Sequence, residues 1–238
     1  VYGYAVQIYC DFSAYSDIAI GVAALLGYRF QRNFNQPYSA ETLADFWRRW
    51  HMSLSTWLRD YLYLPLGGNR GGRIRTMRNL ILTMLLGGIW HGAAWKFVVW
   101  GGLHGGALAI ERLIGIRPRE AHEPRPPLRR RILPVLIVLH LVCFAWIFFR
   151  ADDMAKALAV IAGLGDLSRP PMLVSPVVLA LIAFGLMIQF TPPDMIERLD
   201  RIYQRLPTAA VGLLVGAALL LIEAVGGDGS APFIYFQF

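Results

Sequence analysis

The sequence predicts an all-α protein, a polytopic transmembrane helical bundle with interfacial amphipathic helices. Three observations predict this class. Hydrophobic residues make up 56% of the 238 residues and charged residues only 16%, and the mean hydropathy is +0.46. The apolar residues form blocks long enough to cross a bilayer, which takes about 20 residues. Between two of these blocks, a long segment carries aromatic residues and arginines at helical spacing.

The apolar blocks give the candidate membrane spans. Residues 79–114 are long enough for two helices joined near residues 93–96, and residues 172–190 contain no charged side chain. The other predicted spans are 1–28, 132–149 and 208–225. We expect a single domain over residues 1–238. We also expect it to be the C-terminal portion of a longer protein, since Val1 already lies in an apolar stretch.

The arginines predict which side of the membrane each loop faces. The formal net charge is +7, and every basic residue except Lys96 and Lys156 is an arginine. Nucleic-acid binding is the usual alternative for a basic chain, but these arginines lie between apolar blocks, as cytoplasmic flanks do. Segments 29–78, 115–131 and 191–207 are therefore predicted to be cytoplasmic, and 150–171 and the C-terminus to lie on the other side. The predicted partner is the lipid bilayer, with no nucleic acid.

Segment 29–78 is too long and too patterned for a plain loop. Ser39 is its predicted helix N-cap, with Glu41 in the first turn. Aromatic and apolar residues then recur at three- and four-residue steps, opposite several arginines. This face consists of Trp47, Trp50, His51, Leu54, Leu58 and Tyr61. Pro65 and the glycine-rich run 67–72 end the pattern. Such an amphipathic helix favours the membrane interface.

His91 is the first candidate for chemistry. It lies in a glycine-flanked run, 87–95, deep in the apolar stretch. An ionisable side chain in a membrane span is costly and generally faces a cavity or a partner. A buried, neutral imidazole can accept a hydroxyl proton as a general base; the alternative is a structural histidine bonded to a carbonyl or carboxylate. The glycines allow close approach of a helix or of a substrate. Taken alone, His51 is best interpreted as a packed interfacial side chain.

The other ionisable side chains in apolar stretches favour structural roles. Asp11 and Asp17 project in different directions from a helix, or line a wet cavity if that helix is broken. His104 and His140 are predicted to make structural hydrogen bonds, and His122 to be solvated in a basic loop. The sequence contains no HExxH motif, no phosphate loop of recognised spacing and no G-x-S-x-G. No metal site and no bound cofactor is predicted.

Several motifs resemble those of the membrane-bound O-acyltransferase (MBOAT) family. Residues 45–61, DFWRRWHMSLSTWLRDY, resemble the family signature, and residues 88–92, GIWHG, resemble its Trp-His-Gly motif. The extension 64–70, LPLGGNR, is similar to the bacterial branch that acetylates alginate and other polysaccharides. Further stretches that fit this branch are 11–17, 148–151 and 233–238, so the resemblance covers the whole chain.

The resemblance implies roles for individual residues. His91 matches the family histidine that lies in a transmembrane tunnel and is held to be essential for transfer. His51 matches the second family histidine, near the cytoplasmic mouth. These two are the predicted catalytic residues. The predicted substrate-binding residues are Trp90, Trp47, Trp50, Arg48, Arg49, Asp60 and Asn69. The arginines among them either attract donor phosphates or are ordinary cytoplasmic flanking residues.

The resemblance also implies a function. It is O-acyl transfer, moving acetyl from a cytoplasmic thioester such as acetyl-CoA across the membrane to an exported polysaccharide such as alginate. The implied location is the bacterial cytoplasmic (inner) membrane, multi-pass. The implied partners are a periplasmic SGNH-type acetyltransferase and the polysaccharide export machinery. The alternatives are D-alanyl or peptidoglycan acyl transfer by the same fold, a polytopic transporter with Asp11, Asp17 and His91 on its path, and an inactive scaffold that recruits another enzyme.

Overall fold

The computed structural model describes residues 1–120, 123, 126–166, 175–192 and 194–225. This part of the chain is mostly helical and contains no strand, which confirms the all-α class. His122, the start of the predicted span 172–190 and the C-terminal motif 233–238 lie outside the described residues.

The chain divides into two compact units, Val1–Gln189 and a second that begins at Phe190. The helices of the first unit are α1 (Tyr2–Leu25), α2 (Leu43–Arg49), α3 (Met52–Leu58), α4 (Arg73–His91), α5 (Trp95–Leu113), α6 (Leu128–Arg150), α7 (Met154–Gly163) and α8 (Pro176–Met187). Those of the second are α9 (Met195–Tyr203) and α10 (Thr208–Val225).

Within the described residues, α1 and α6 are long and apolar enough to cross a membrane. Helices α9 and α10 are bent by 117° at a short break and add a third span if the pair is one. The predicted pair over 79–114 is present as the hairpin of α4 and α5, but these helices are less apolar than α1 and α6. Helix α4 starts with three arginines in its first two turns, and α5 carries Lys96, Glu111 and Arg112. That this hairpin crosses the bilayer therefore stays a prediction.

Glycines hold the α4–α5 hairpin together. A Cβ atom on Gly88 would lie 2.3 Å from the carbonyl oxygen of Phe97, and one on Gly101 would lie 2.4 Å from that of Met84. A third glycine, Gly105, is similarly close to the backbone of α4. Small residues of this kind let helix backbones approach closely in membrane proteins. The glycines were predicted to allow close approach of either a helix or a substrate, and the structure shows close approach of a helix. The tight hairpin that results has His91 at its tip.

The single helix predicted between Ser39 and Pro65 is wrong, because the chain forms two helices, α2 and α3, with a break between them. Residues Pro37–Ser39 form a 3₁₀ turn, in which the Ser39 hydroxyl donates to the Gln36 carbonyl instead of capping a helix. Thr42 is the N-cap of α2 and accepts from the Asp45 amide at 3.0 Å, so Glu41 precedes the helix. The chain breaks again between α2 and α3, and a π-helical turn follows at Arg59–Tyr63.

The aromatic side of this segment faces the interior where α2 packs against α5. Phe46, Trp47 and Trp50 are buried, whereas Arg48 is exposed. The predicted amphipathic division is therefore present in α2. Further along, Trp57 and Tyr61 are exposed and stack on each other at 5.5 Å. Exposed aromatic rings of this kind suit the boundary of a bilayer.

Helix α1 is continuous through Asp11 and Asp17, and both carboxylates are exposed on the described chain. The alternative of a broken helix lining a wet cavity is therefore wrong. The Tyr38 hydroxyl donates to the Ala5 carbonyl at 2.7 Å and fastens segment 29–42 to this helix.

Candidate active site

His91 is the last residue of α4 and points its ring into aromatic side chains from three helices. Its ring centroid lies 4.9 Å from that of Trp90, 5.3 Å from that of Trp100 on α5 and 5.1 Å from that of Phe149 on α6. All three contacts are edge-on, the geometry that aromatic quadrupoles favour. The hairpin turn at Gly92 leaves the side chain half-buried. The histidine thus lies at the C-terminal end of α4, and side chains of α5 and α6 form the walls of the site.

The imidazole of His91 makes no hydrogen bond and no ion pair with any described residue. The structural alternative, a ring nitrogen bonded to a carbonyl or carboxylate, is not seen in this part of the chain. The side chain is half-buried, so these nitrogens are not sealed inside the fold. Both ring nitrogens of His91 are therefore available to a bound molecule.

His51 lies between α2 and α3 in a left-handed backbone conformation, with φ of 42° and ψ of 56°. A non-glycine residue rarely adopts this conformation, and such strain tends to occur at functional sites. Asn33 stabilises the break, because its carbonyl accepts from the Met52 amide and its side chain accepts from the Ser53 amide and hydroxyl. The break turns the His51 ring onto Phe12 of α1, at 4.7 Å.

The two predicted catalytic histidines are close enough to interact electrostatically. Burial, and then the nearby His91, lower the pKa of His51 to about 3. At neutral pH the His51 imidazole is therefore uncharged, and like His91 it makes no side-chain hydrogen bond to a described residue. The structure brings together two histidines that are 40 positions apart in the sequence.

An aromatic cluster surrounds and connects the two histidines. Trp50 packs on Phe34 at 5.0 Å and on Trp146 of α6 at 5.1 Å, and Trp146 packs on Phe149 at 5.2 Å. The members of this cluster are Phe12, Phe34, Phe46, Trp47, Trp50, Phe97, Trp100, His104, Trp146 and Phe149, together with His51 and His91. Trp47 and Trp50 belong to it, whereas Trp90 is more than half exposed beside His91. The cluster excludes water from one side of both imidazoles.

His104 makes the structural hydrogen bond predicted for it. The Trp47 indole Nε1 donates to its Nδ1 at 3.3 Å, and the side chain is fully buried. His140 likewise has its Nδ1 at 2.7 Å from the Leu136 carbonyl, one turn earlier in α6. Trp47 therefore joins the arginine-bearing helix α2 to the middle of α5.

The arginine side of α2 borders a cavity of about 510 Å³. Arg48, Trp47 and Asn69 line it, whereas the two histidines do not. Its other basic residues are Arg59, Arg112 and Arg117, and its apolar wall includes Leu58, Leu80, Met84 and Leu108. A basic rim over an apolar floor can hold a molecule with an anionic group and a hydrophobic arm.

Three of the predicted substrate-binding residues have polar partners of their own. Arg49 pairs with Asp45 at 2.8 Å, Asp60 pairs with the neighbouring Arg59, and the Asn69 carbonyl oxygen accepts from the Tyr63 hydroxyl at 2.6 Å. Arg49 borders a second cavity, beside Glu41 and Asp45, and not the one lined by Arg48. Trp47 and Trp50 therefore belong to the aromatic cluster, Arg48 and Asn69 line one cavity and Arg49 the other, whereas Trp90 and Asp60 lie outside all three.

Two glutamates that were not among the predicted site residues, Glu111 and Glu41, organise this region. The Glu111 carboxylate of α5 accepts from the Leu43 amide at 2.6 Å and from the Ala44 amide at 3.1 Å, and so caps α2 from another helix. Glu41 pairs with Arg119 and Arg131, and these bonds outweigh the effect of burial and lower its pKa. For Glu111 a signal was present, since a carboxylate at the end of an apolar stretch needs a partner.

The chain is similar in sequence to several known proteins. The model of MBOAT, the membrane-bound O-acyltransferase family, matches residues 1–151. A probable alginate O-acetylase AlgI from Azotobacter vinelandii is 53% identical over 65% of this chain and 30% of its own length. One from Pseudomonas putida is 39% identical over 99% of this chain and 52% of its own length. A peptidoglycan O-acetyltransferase from Helicobacter pylori is 46% identical over 69% of this chain and 31% of its own length. The chain thus spans between about a third and about half of these relatives.

Proposed function

Because the chain belongs to the membrane-bound O-acyltransferase family, we propose that it forms part of an enzyme that O-acetylates an exported polysaccharide. The acetyl group comes from a cytoplasmic thioester, with acetyl-CoA as the first donor to test, and crosses the membrane. The protein is a multi-pass protein of the bacterial inner membrane. Its partners are a periplasmic SGNH-type acetyltransferase and the polysaccharide export machinery. The names of the relatives support alginate as the acceptor polymer.

The observation that carries this proposal is the environment of His91. Its imidazole lies among aromatic rings, without a hydrogen-bond partner in the described chain, and close enough to His51 to lower the pKa of that imidazole. A neutral, half-buried imidazole is a good proton acceptor for a hydroxyl group. A histidine that only stabilised the fold would be expected to make a hydrogen bond within it, as His140 does with the Leu136 carbonyl.

The proposed reaction is a direct acyl transfer with His91 as base. The oxygen of the acceptor hydroxyl attacks the thioester carbonyl carbon while its proton passes to the His91 imidazole. The carbonyl oxygen carries the negative charge of the tetrahedral intermediate. The carbon–sulfur bond then breaks, the acetyl ester is released, and the thiolate takes the proton from His91. His51 positions the reacting groups from the opposite side of the site.

The cavity beside Arg48 supports the donor side of the proposal. Its arginines are suited to the phosphate groups of a coenzyme thioester, and its apolar wall to the pantetheine arm. It lies at the end of the α4–α5 hairpin remote from His91, near the arginines that predict the cytoplasmic side. This arrangement requires the thioester arm to reach past Trp47 towards the aromatic cluster.

Acyl transfer by the full-length protein tests the proposal directly. Purified protein in proteoliposomes is given acetyl-CoA labelled in the acetyl group, and CoA release and transfer of label are followed. In the native host, deletion of the gene and its restoration should remove and restore the acetyl groups of the exported polymer. Loss of acetyl groups from peptidoglycan instead of the exported polysaccharide would reassign the acceptor, in line with the H. pylori relative. A protein that moves a solute without consuming acetyl-CoA would be a transporter, against the proposal.

Replacing His51 by glycine should remove the imidazole without disturbing the backbone. Glycine adopts φ of 42° without the cost that other residues incur. We therefore expect His51→Gly in the full-length protein to melt no lower than wild type and to lose roughly ten-fold or more in acetyl transfer. Initial rates and thermal melting in detergent measure the two quantities.

Gln36→Gly is the matched control for this variant. Gln36 and His51 are the non-glycine residues with positive φ in the described chain, and Gln36 has a φ of 50°. The control relieves the same kind of backbone strain and should leave transfer unchanged. If His51→Gly keeps the wild-type rate, His51 has no part in the chemistry.

A further inference from the structure

The aromatic cluster beside His91 contains hydrogen-bond donors that have no acceptor in the described chain. The Nε1 of Trp100, the Nε2 of His104 and the Nε1 of Trp146 are inaccessible to solvent and unpaired. The first two lie on the same helix, α5. Trp100 and His104 are 2% and 0% exposed. A buried donor without an acceptor is destabilising, so each such group calls for an explanation.

The hydrogen bond from Trp47 fixes the role of His104. Because the Trp47 indole donates to Nδ1, that nitrogen carries a lone pair and no proton. The proton of the neutral ring must then be on Nε2. His104 therefore presents an N–H group and no second acceptor, and the vacant partner at Nε2 must be an acceptor atom.

The unpaired donors of Trp100 and His104 belong to rings that contact each other, and the Trp100 ring also contacts the candidate base, His91. Trp100 packs edge-on against His104 at 4.9 Å and edge-on against His91 at 5.3 Å. Trp100 and His104 lie one turn apart on α5, so their side chains project from the same face of the helix. The ring contacts of Trp100 and His104 are all with aromatic side chains, so an N–H group there acts at low dielectric.

We infer that the Nε2–H of His104 and the Nε1–H of Trp100 bind the carbonyl oxygen of the acyl group during transfer. This inference rests on the proposed function. In the reaction described above, the hydroxyl proton goes to His91 and negative charge develops on that oxygen before the carbon–sulfur bond breaks. Fixed N–H donors in a dry site stabilise such charge strongly. Trp100 and His104 supply two such donors on rings that contact each other, and the Trp100 ring also contacts the base.

Two substitutions of His104 separate this role from a structural one. Asparagine places its Oδ1 where the imidazole Nδ1 lies, so His104→Asn keeps an acceptor for Trp47 and loses the far donor. Glutamine places an amide N–H near the position of Nε2, so His104→Gln keeps the far donor and loses the bond to Trp47. The rate of acyl transfer should therefore fall in His104→Asn, which lacks the N–H at the Nε2 position. The stability should fall in His104→Gln, which lacks the bond to Trp47.

The full-length protein in proteoliposomes, with acetyl-CoA as the donor, provides the test. We expect His104→Asn to lower kcat about 100-fold, the cost of removing one such donor, with little change in the KM for acetyl-CoA. Trp100→Phe keeps the aromatic ring, loses the N–H and should behave in the same way. His104→Gln should retain at least ten times the kcat of His104→Asn while melting at a lower temperature. His140→Asn, an exposed imidazole on α6, serves as the control.

The outcomes distinguish this inference from the proposed function. An active wild type with an equally active His104→Asn overturns the inference alone. So does a kcat that follows the melting temperature, with His104→Gln the less active variant. A wild-type protein that releases no CoA from acetyl-CoA overturns the proposed function and the inference together.

Discussion

Replacing His91 by phenylalanine should abolish acetyl transfer while leaving the protein folded. Phenylalanine keeps a ring in the space between Trp100 and Phe149, where His91 makes edge-on contacts at 5.3 and 5.1 Å. It removes both ring nitrogens and therefore the proposed base. General bases contribute roughly 100- to 10,000-fold to a rate, so we expect a loss of at least about 100-fold in CoA release and no acetyl groups on the exported polymer.

The phenylalanine variant is more informative than alanine at this position. His91→Ala would remove the base and also open a gap among Trp90, Trp100 and Phe149, which adds a packing cost. With His91→Phe, the amount of protein in the membrane and its melting temperature should stay near those of wild type. His140→Phe, on the exposed side of α6, controls for the loss of a histidine. A His91→Phe protein that still supports polymer acetylation would instead be the inactive scaffold that recruits another enzyme.

The parts of the fold that could be predicted from the sequence depend on neighbours in the chain. The hairpin of α4 and α5 follows from two apolar runs with a short break of small residues, and its packing follows from glycines spaced along both helices. The N-caps show the limit of this reasoning. By residue type Ser39 is the better cap, and the 3₁₀ turn at Pro37–Ser39 leaves Thr42 to cap α2 instead.

The features that the sequence did not predict depend on distant residues. The break before α3 requires Asn33, about 20 positions earlier, to accept from the Met52 and Ser53 amides. Helical periodicity through Trp50 and His51 favoured an unbroken helix, since local spacing contains no trace of this partner. The bond that orients His104 comes from Trp47, on a different helix. Residue type identified the chemistry of the site, and tertiary contacts determined which nitrogens are left without partners.

A methyl group at Gly88 should force α4 and α5 apart. The Cβ of an alanine there would lie 2.3 Å from the Phe97 carbonyl oxygen and 3.3 Å from the Gly101 Cα. Both are backbone atoms, so no side chain can rotate away and the helices themselves must move. Overpacking costs about 1–3 kcal/mol in a well-packed interior, and here we expect the upper part of that range. Gly88→Ala in the full-length protein should lower the melting temperature in detergent and reduce acetyl transfer, because His91 lies one turn further along α4.

Gly106→Ala provides the opposite result on the partner helix. Nothing lies within 4 Å of a Cβ at Gly106, and replacing a helical glycine by alanine gains about 1 kcal/mol. The control should therefore melt at or above the wild-type temperature. If the Gly88→Ala protein melted at the same temperature as the Gly106→Ala control, the hairpin would tolerate wider spacing of its helices.

Combining Gly88→Ala with Gly101→Ala tests whether one displacement accounts for both clashes. Gly101 faces the Met84 carbonyl at 2.4 Å and also lies against Gly88. Once the helices have separated to accept one methyl group, part of the room for the second already exists. The double variant should therefore lose less stability than the sum of the two single losses, a coupling expected for residues in contact. Strict additivity would mean that each methyl group is accommodated locally, and then His91 would keep its position and Gly88→Ala would transfer acetyl groups at the wild-type rate.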